Sequence, residues 1–176
     1  LPFSLTNAQK HVLQEINEDM ESSKPMNRLL QGDVGSGKTI VSIIAAYKAV
    51  KSGYQAAILA PTAILAMQHM ENFQKTLNNF GIRCELLVSS ITKKNKQIIK
   101  EKLLNSEIDI LIGTHAMLEE DVCFKNLGLV VTDEQHRFGV KQRGKIVSKG
   151  SNPDVIVMSA TPIPRTLALI LYGDLD

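Results

Sequence analysis

Long apolar runs are missing from these 176 residues: no stretch approaches the roughly 18 consecutive apolar residues of a membrane-spanning helix, and the N-terminus carries no leader pattern. The chain therefore reads as soluble and intracellular, with a cytoplasmic location expected. Cysteine is scarce. Cys84 and Cys123 stand alone, without a CxxC pair or His-rich company, which argues against a metal site or a disulfide and for two reduced structural thiols. Repeats and low-complexity tracts are absent too, so no solenoid or biased tail is indicated. Nor is there an excess of charge of one sign: 20 Lys and Arg against 18 Asp and Glu leave a net +2, which alone names no nucleic-acid partner. What remains is an ordinary globular composition in a length that suits one domain with a sizeable core and is too short for two. Because the chain starts at Leu1 and stops at Asp176 without a terminal element, residues 1–176 are expected to be one domain of a longer protein.

The chemistry begins at residues 31–39, QGDVGSGKT, where Gly32, Gly37, Lys38 and Thr39 complete the phosphate-loop pattern GxxxxGK(S/T). Residues 27–30 can form a short strand before it, and residues 40–50 carry apolar side chains at helical spacing after it. In that setting glycines let the backbone curl until N–H groups face phosphates at a helix N-terminus. The candidate nucleotide-binding residues are thus Gly32, Asp33, Val34, Gly35, Ser36, Gly37, Lys38 and Thr39. Lys38 meets the β and γ phosphates and Thr39 offers its hydroxyl to Mg²⁺. A Gly-rich turn with Lys38 as a surface charge is the plainer reading, and the complete pattern between strand and helix weighs against it.

The rest of the chain alternates. Thr6 and Gln9 form a capping box ahead of a helix with Val12, Leu13, Ile16 and Met20 on one face, ending near Ser22. Strands are expected over residues 56–60, 84–88, 108–112, 127–132 and 154–158, and helices over 64–77 and 92–105, the latter with Ile98, Ile99, Leu103 and Leu104 as its apolar face. Gly53 and Gly81 punctuate helix ends. Short apolar strands alternating with helices imply an α/β architecture, a mostly parallel sheet covered on both faces, with ligands at the C-terminal strand ends.

The strand at 127–132 delivers Asp133, Glu134, Gln135 and His136. Two consecutive carboxylates at a buried strand end are what nucleotide hydrolysis needs: Asp133 for the Mg²⁺ shell and Glu134 to orient and deprotonate the attacking water. A solvated acidic turn is the bland alternative. Small-molecule kinases share the phosphate loop but lack this DExH tetrapeptide followed, after another strand, by Ser159-Ala160-Thr161. His136 has no sequence partners that would make it a zinc ligand.

GDVGSGKT, DEQH, SAT and the APT of Ala60-Pro61-Thr62 together resemble the first RecA-like motor domain of superfamily two helicases. DEQHRFGVKQR at 133–143, GTHA at 113–116 and SATPIPRTLAL at 159–169 extend that likeness to the bacterial RecG family of ATP-dependent branched-DNA helicases, from residue 5 to 176. Transcription-repair coupling translocases share much of the pattern, though usually with a DEEQ-type box. The resemblance implies a RecA-like P-loop NTPase fold, ATP and Mg²⁺ as ligands, branched DNA as partner, and a second RecA-like half and a wedge domain elsewhere in the parent chain. It also implies that Gln9 recognises adenine, the alternative being a helix-capping glutamine, and that Thr62, Gln68, Thr114 and His115 line a nucleic-acid track, although each also suits an ordinary cap or turn. His136, Ser159 and Thr161 resemble couplers between the γ-phosphate and that track. Arg137, Gln142 and Arg143, with Lys141, form a basic group suited to a DNA or interdomain contact. The lysines of residues 93–102 read instead as the solvated face of a helix.

Overall fold

A computed structural model describes residues 4–22, 24–31, 37–133 and 140–159. In chain order these form α1 (Asn7–Glu21), β1 (Asn27–Gln31), α2 (Lys38–Lys51), β2 (Gln55–Leu59), α3 (Ala63–Leu77), β3 (Cys84–Leu87), α4 (Lys93–Leu104), β4 (Ile110–Gly113), β5 (Leu127–Asp133), α5 (Val140–Val147) and β6 (Asp154–Ser159), with 3-10 turns at Asn78–Phe80 and His115–Leu118. The strands make one sheet in the order β1-β6-β5-β2-β4-β3, and every pairing is parallel. All six C-terminal ends therefore lie along one edge.

Local signals explain the helix ends. The Thr6 hydroxyl accepts from the Gln9 amide while Gln9 Oε1 accepts from the Thr6 amide at 2.9 Å, so the capping box at the head of α1 closes in both directions. Thr62 and Thr92 cap α3 and α4 in the same way, each accepting from the amide three residues on. Gly53 and Gly81 follow helical segments at φ of +93° and +71°, which costs a glycine no Cβ clash.

Strand periodicity then sorts the core into two clusters. Ala56, Ile58, Ile110, Ile112, Val131 and Ile156 face α1, α2 and α3, whereas Ala57, Leu59, Leu111, Val130, Val155 and Val157 face α4 and α5. Leu127 and Leu129 break that alternation by falling in opposite clusters, because the register with β2 slips between Gln55 and Ala56 and leaves Gly128 as the extra residue. Arg28 pins α1 to β1 through Glu15 at 2.9 Å and Asp19 at 2.6 Å. Burial alone would lower its pKa, but Asp19 and then Glu15 outweigh burial and raise it.

Besides one-residue shifts at the ends of β3, β5 and β6, four departures from sequence expectation have a structural reason. β4 starts at Ile110, not residue 108: the Ile108 carbonyl accepts from the Gln55 side chain, and the Asp109 backbone, though bonded to Arg83 and Ala56, lies just ahead of the strand. β2 begins one residue early, at Gln55, a buried amide that also donates to the Leu103 carbonyl and accepts from the Asn126 amide, and is thereby satisfied inside the core. On α4 only Ile99 and Leu103 are buried; Ile98 and Leu104 are 40% and 53% exposed. Finally, α5 was not expected: Gly144 and the charges around it hide a helix whose Ile146 is wholly buried.

Candidate nucleotide and nucleic-acid site

Five chemical motifs follow five strands at this single edge. The phosphate loop leaves β1, the APT segment leaves β2, GTHA spans the end of β4, DEQH begins at the last residue of β5, and SAT begins at the last residue of β6. Register sets Ser159 beside Gln31, the residue before the phosphate loop, and Asp133 beside Met158, so three of the motif strands are immediate neighbours. β2 is the next strand along, pairing Leu59 with Thr132. Parallel pairing gathers these segments, which stand up to 128 residues apart in sequence, wherever the strands end.

Lys38 and Thr39 open α2, whose N-cap Gly37 has a φ of +87° and supplies no side-chain cap. No side chain of the N-cap competes for the first amides of that helix, and the helix dipole favours an anion there. A Cβ on Gly37 would collide with the Gln9 amide nitrogen, so Gln9 lies directly against the end of the phosphate loop. Its capping bond engages Oε1 with Thr6, and an amide oxygen has a second lone pair while Nε2 remains to donate. Capping and adenine recognition by Gln9 are therefore compatible roles.

Thr39 contributes a hydroxyl and Asp133, 17% exposed, a carboxylate. These are hard oxygen donors of the kind Mg²⁺ accepts while keeping water and phosphate oxygens in its remaining positions. Among the described residues no group of three or more His, Cys, Asp or Glu could cage a metal without such help. The donor set fits Mg²⁺ held jointly with a nucleotide.

The other predicted positions differ in access. Thr62 accepts from the Leu65 amide at 3.2 Å, which leaves its own O–H to donate, and Gln68 is exposed on α3. His115 is exposed, but Thr114 before it is buried. Ser159 is buried at the end of β6, and in α5 Gln142 is half-buried and Arg143 only 8% exposed. Burial leaves Thr114 and Arg143 little surface for a strand of nucleic acid. Lys100 is tied to Asp121 at 2.7 Å and Glu119 at 3.3 Å, and the bond to Asp121 is the main reason its pKa rises. The lysine face of α4 is thus partly neutralised within the domain. Gly32, Asp33, Val34, Gly35, Ser36, Glu134, Gln135, His136, Arg137 and Thr161 lie outside the described residues.

Sequence reasoning passed over His69. Its Nε2 stands 2.8 Å from Asp133 Oδ2, and it is 6% exposed, with no partner for Nδ1 among the described residues. The signal was available: His69 falls three residues after Ala66 and four before Phe73, on the buried stripe of α3. A histidine on an apolar stripe needs a polar partner, and the strand that supplies one is 64 residues away.

Residues 6–170 match the family model described as DEAD/DEAH box helicase. The chain belongs to that family. Over its whole length it is 57% identical to the ATP-dependent DNA helicase RecG of Thermotoga maritima and 55% identical to that of Bacillus subtilis. It spans 23% and 26% of those proteins, about a quarter of their length. A solved structure of RecG bound to a three-way DNA junction matches 99% of the chain at 53% identity with a TM-score of 0.85, the chain covering 23% of that protein. S. cerevisiae Dbp5 shares the fold at 21% identity, with a TM-score of 0.72 over 98% of this chain and 47% of its own. As a RecA-like helicase domain, the chain keeps the expected α/β layout with a wholly parallel sheet. No described helix is long and apolar enough to cross a membrane.

Proposed function

We propose that this DEAD/DEAH box domain is the first motor half of a DNA helicase that couples ATP hydrolysis to movement on branched DNA, as its likeness to RecG suggests. The observation that supports the reading is that β1 and α2, which bracket the phosphate-loop sequence, share one sheet edge with β5 and α3, where Asp133 is hydrogen-bonded to His69 of the helix that Thr62 caps and that carries Gln68. In this reading Lys38 holds the β and γ phosphates, the α2 N-terminus cradles the anion, and Gln9 meets the adenine edge. Thr39 and Asp133 hold Mg²⁺, which when bound neutralises phosphate charge and polarises the group transferred. Glu134 accepts a proton from the attacking water, and His136, Ser159 and Thr161 couple the γ-phosphate region to the track. Thr62, Gln68 and His115 contact the backbone of the strand, which positions DNA without reading its sequence. A second RecA-like half and a wedge domain in the same parent chain complete the cleft and split the fork.

Hydrolysis by the full-length protein is the test. Turnover is expected to rise with forked or three-way DNA well above its rate with linear duplex or none, and to vanish in Lys38→Ala. Turnover indifferent to DNA would instead support a phosphate-loop switch or small-molecule kinase.

A further inference from the structure

Gln68 and His69 are neighbours on α3, and one helical step of 100° turns their side chains to different environments. Gln68 is exposed, whereas His69 points inward and meets Asp133. A carboxylate only accepts, so Nε2 carries the shared proton and Nδ1 is left as a buried atom without a partner among the described residues. The unpartnered Nδ1 carries a desolvation cost. The neighbours of His69 on the stripe, Ala66, Phe73 and Leu77, are buried hydrophobics, and a leucine at 69 would suit that face but leave Asp133 Oδ2 without its donor. The bond does have a geometric effect: it commits Oδ2, fixes the rotation of the Asp133 carboxylate and leaves Oδ1 for the cation shell.

We propose that His69 is a positioning residue that ties the track helix α3 to the Mg²⁺ carboxylate, so that a strand engaging Thr62 and Gln68 changes the orientation of Asp133 through this one hydrogen bond. The inference rests on the motor reading above. α3 is continuous from its Thr62 cap past residue 69, so a push at its N-terminus moves His69 with it. Starting from 2.8 Å, a displacement of about 1 Å takes the pair out of hydrogen-bond range. The ATP site thereby acquires two states that bound nucleic acid can bias, which is the physical content of coupling.

Two variants of the full-length protein test this. His69→Leu removes the donor and keeps the volume; His69→Gln returns an amide N–H to the neighbourhood of Nε2. In His69→Leu, nucleotide affinity measured in EDTA is expected to stay within about two-fold of the parent, because the phosphate contacts are untouched, while the Mg²⁺ concentration that half-saturates nucleotide binding rises about ten-fold. The ratio of hydrolysis with and without forked DNA is expected to fall by about five-fold or more. His69→Gln is expected to recover most of both losses. An unchanged Mg²⁺ requirement and DNA ratio in His69→Leu, or equal damage in the two variants, would overturn the proposal and leave His69 a packing residue. Should His69→Leu fail to fold by circular dichroism, His69→Asn, whose shorter amide stops short of Asp133, replaces it with the same two outcomes. If hydrolysis by the unmutated protein ignores DNA, the motor reading and the coupling fall together, while the Mg²⁺ measurement still decides the His69–Asp133 link on its own.

Discussion

At the scale of single residues, nucleotide binding in the proposed reading rests most heavily on Lys38. It stands at the head of α2, where its ammonium can make a charge-assisted contact to a phosphate. Lys38→Ala is expected to weaken ATP binding at least about ten-fold without changing the melting temperature by more than a few degrees, and calorimetry showing unchanged affinity would refute that. Asp154 makes a prediction of the opposite kind, about pH. Burial raises its pKa, the hydrogen bond from the Met26 amide at 2.7 Å works against that, and the charge of Asp19 adds to the rise. With the folded pKa above the unfolded one, the folded state holds the proton longer, so Asp154 costs nothing below its unfolded pKa of about 4 and subtracts stability as pH climbs through the folded value. Asp154→Asn keeps an oxygen for the Met26 amide, so it is expected to raise the melting temperature at pH 7 and to lose that gain toward about pH 4. A gain independent of pH would show that charge burial is not the cause. Cys84 illustrates the same physics: burial first, then Asp109, push its thiol up to about 12, which keeps it protonated and unreactive.

At the scale of elements, β4 leaves no room for a side chain at Gly113. Gly113 lies opposite Leu87 in the β3 ladder, and a Cβ on it would collide with the Leu87 carbonyl oxygen and come within 2.9 Å of Met117 Cγ. The obstructing atom is backbone of a paired strand and cannot turn aside. Gly113→Ala is therefore expected to destabilise by about 1–3 kcal/mol. Gly144, in α5, has nothing within 4 Å of its added Cβ, so Gly144→Ala is expected to stabilise by up to about 1 kcal/mol through helix propensity alone. Urea titrations of the two variants should move in opposite directions; movement in the same direction would mean that glycine entropy, not space, governs both sites. GTHA thus begins with a glycine that packing requires, whatever its threonine and histidine contact.

For the molecule as a whole, the decisive question is where an arginine for the phosphates would come from. Arg28 is held by Asp19 and Glu15, Arg83 by Asp109, and Arg143 is buried, so the described arginines are each committed within the domain. In phosphate-loop enzymes an arginine brought by a facing domain or partner is worth about 10³–10⁵ in rate, and an open cleft lets water screen the charges that remain. Residues 1–176 expressed alone are therefore expected to bind ATP weakly, to hydrolyse it at least about 10³-fold more slowly than the DNA-stimulated parent, and not to unwind forks. DNA-stimulated turnover by the isolated domain at the parent rate would show that the site is complete without a second half.

Local chemistry was written in the sequence because it depends on neighbours a few residues apart. Thr6 and Gln9, three apart, close the α1 cap; Gly37-Lys38-Thr39 marks the head of α2; alternating helices and short apolar strands specify a covered parallel sheet. None of this required knowledge of the strand order. What the tertiary structure alone decided is which of those segments meet. The order β1-β6-β5-β2-β4-β3 places Ser159 beside Gln31 and brings Asp133 within reach of His69, and no local spacing encodes a contact across 64 or 128 residues. Burial was equally out of reach, since a polar side chain such as Gln55 or Arg143 reads as solvated until the elements around it are known. Helix α5 escaped for a related reason: Ile146 shows its helical face only where β5 and the turn at His115–Leu118 exist to receive it. Periodicity and capping are short-range consequences of backbone geometry, whereas site assembly is a consequence of which strands pair, and pairing is settled by the whole core.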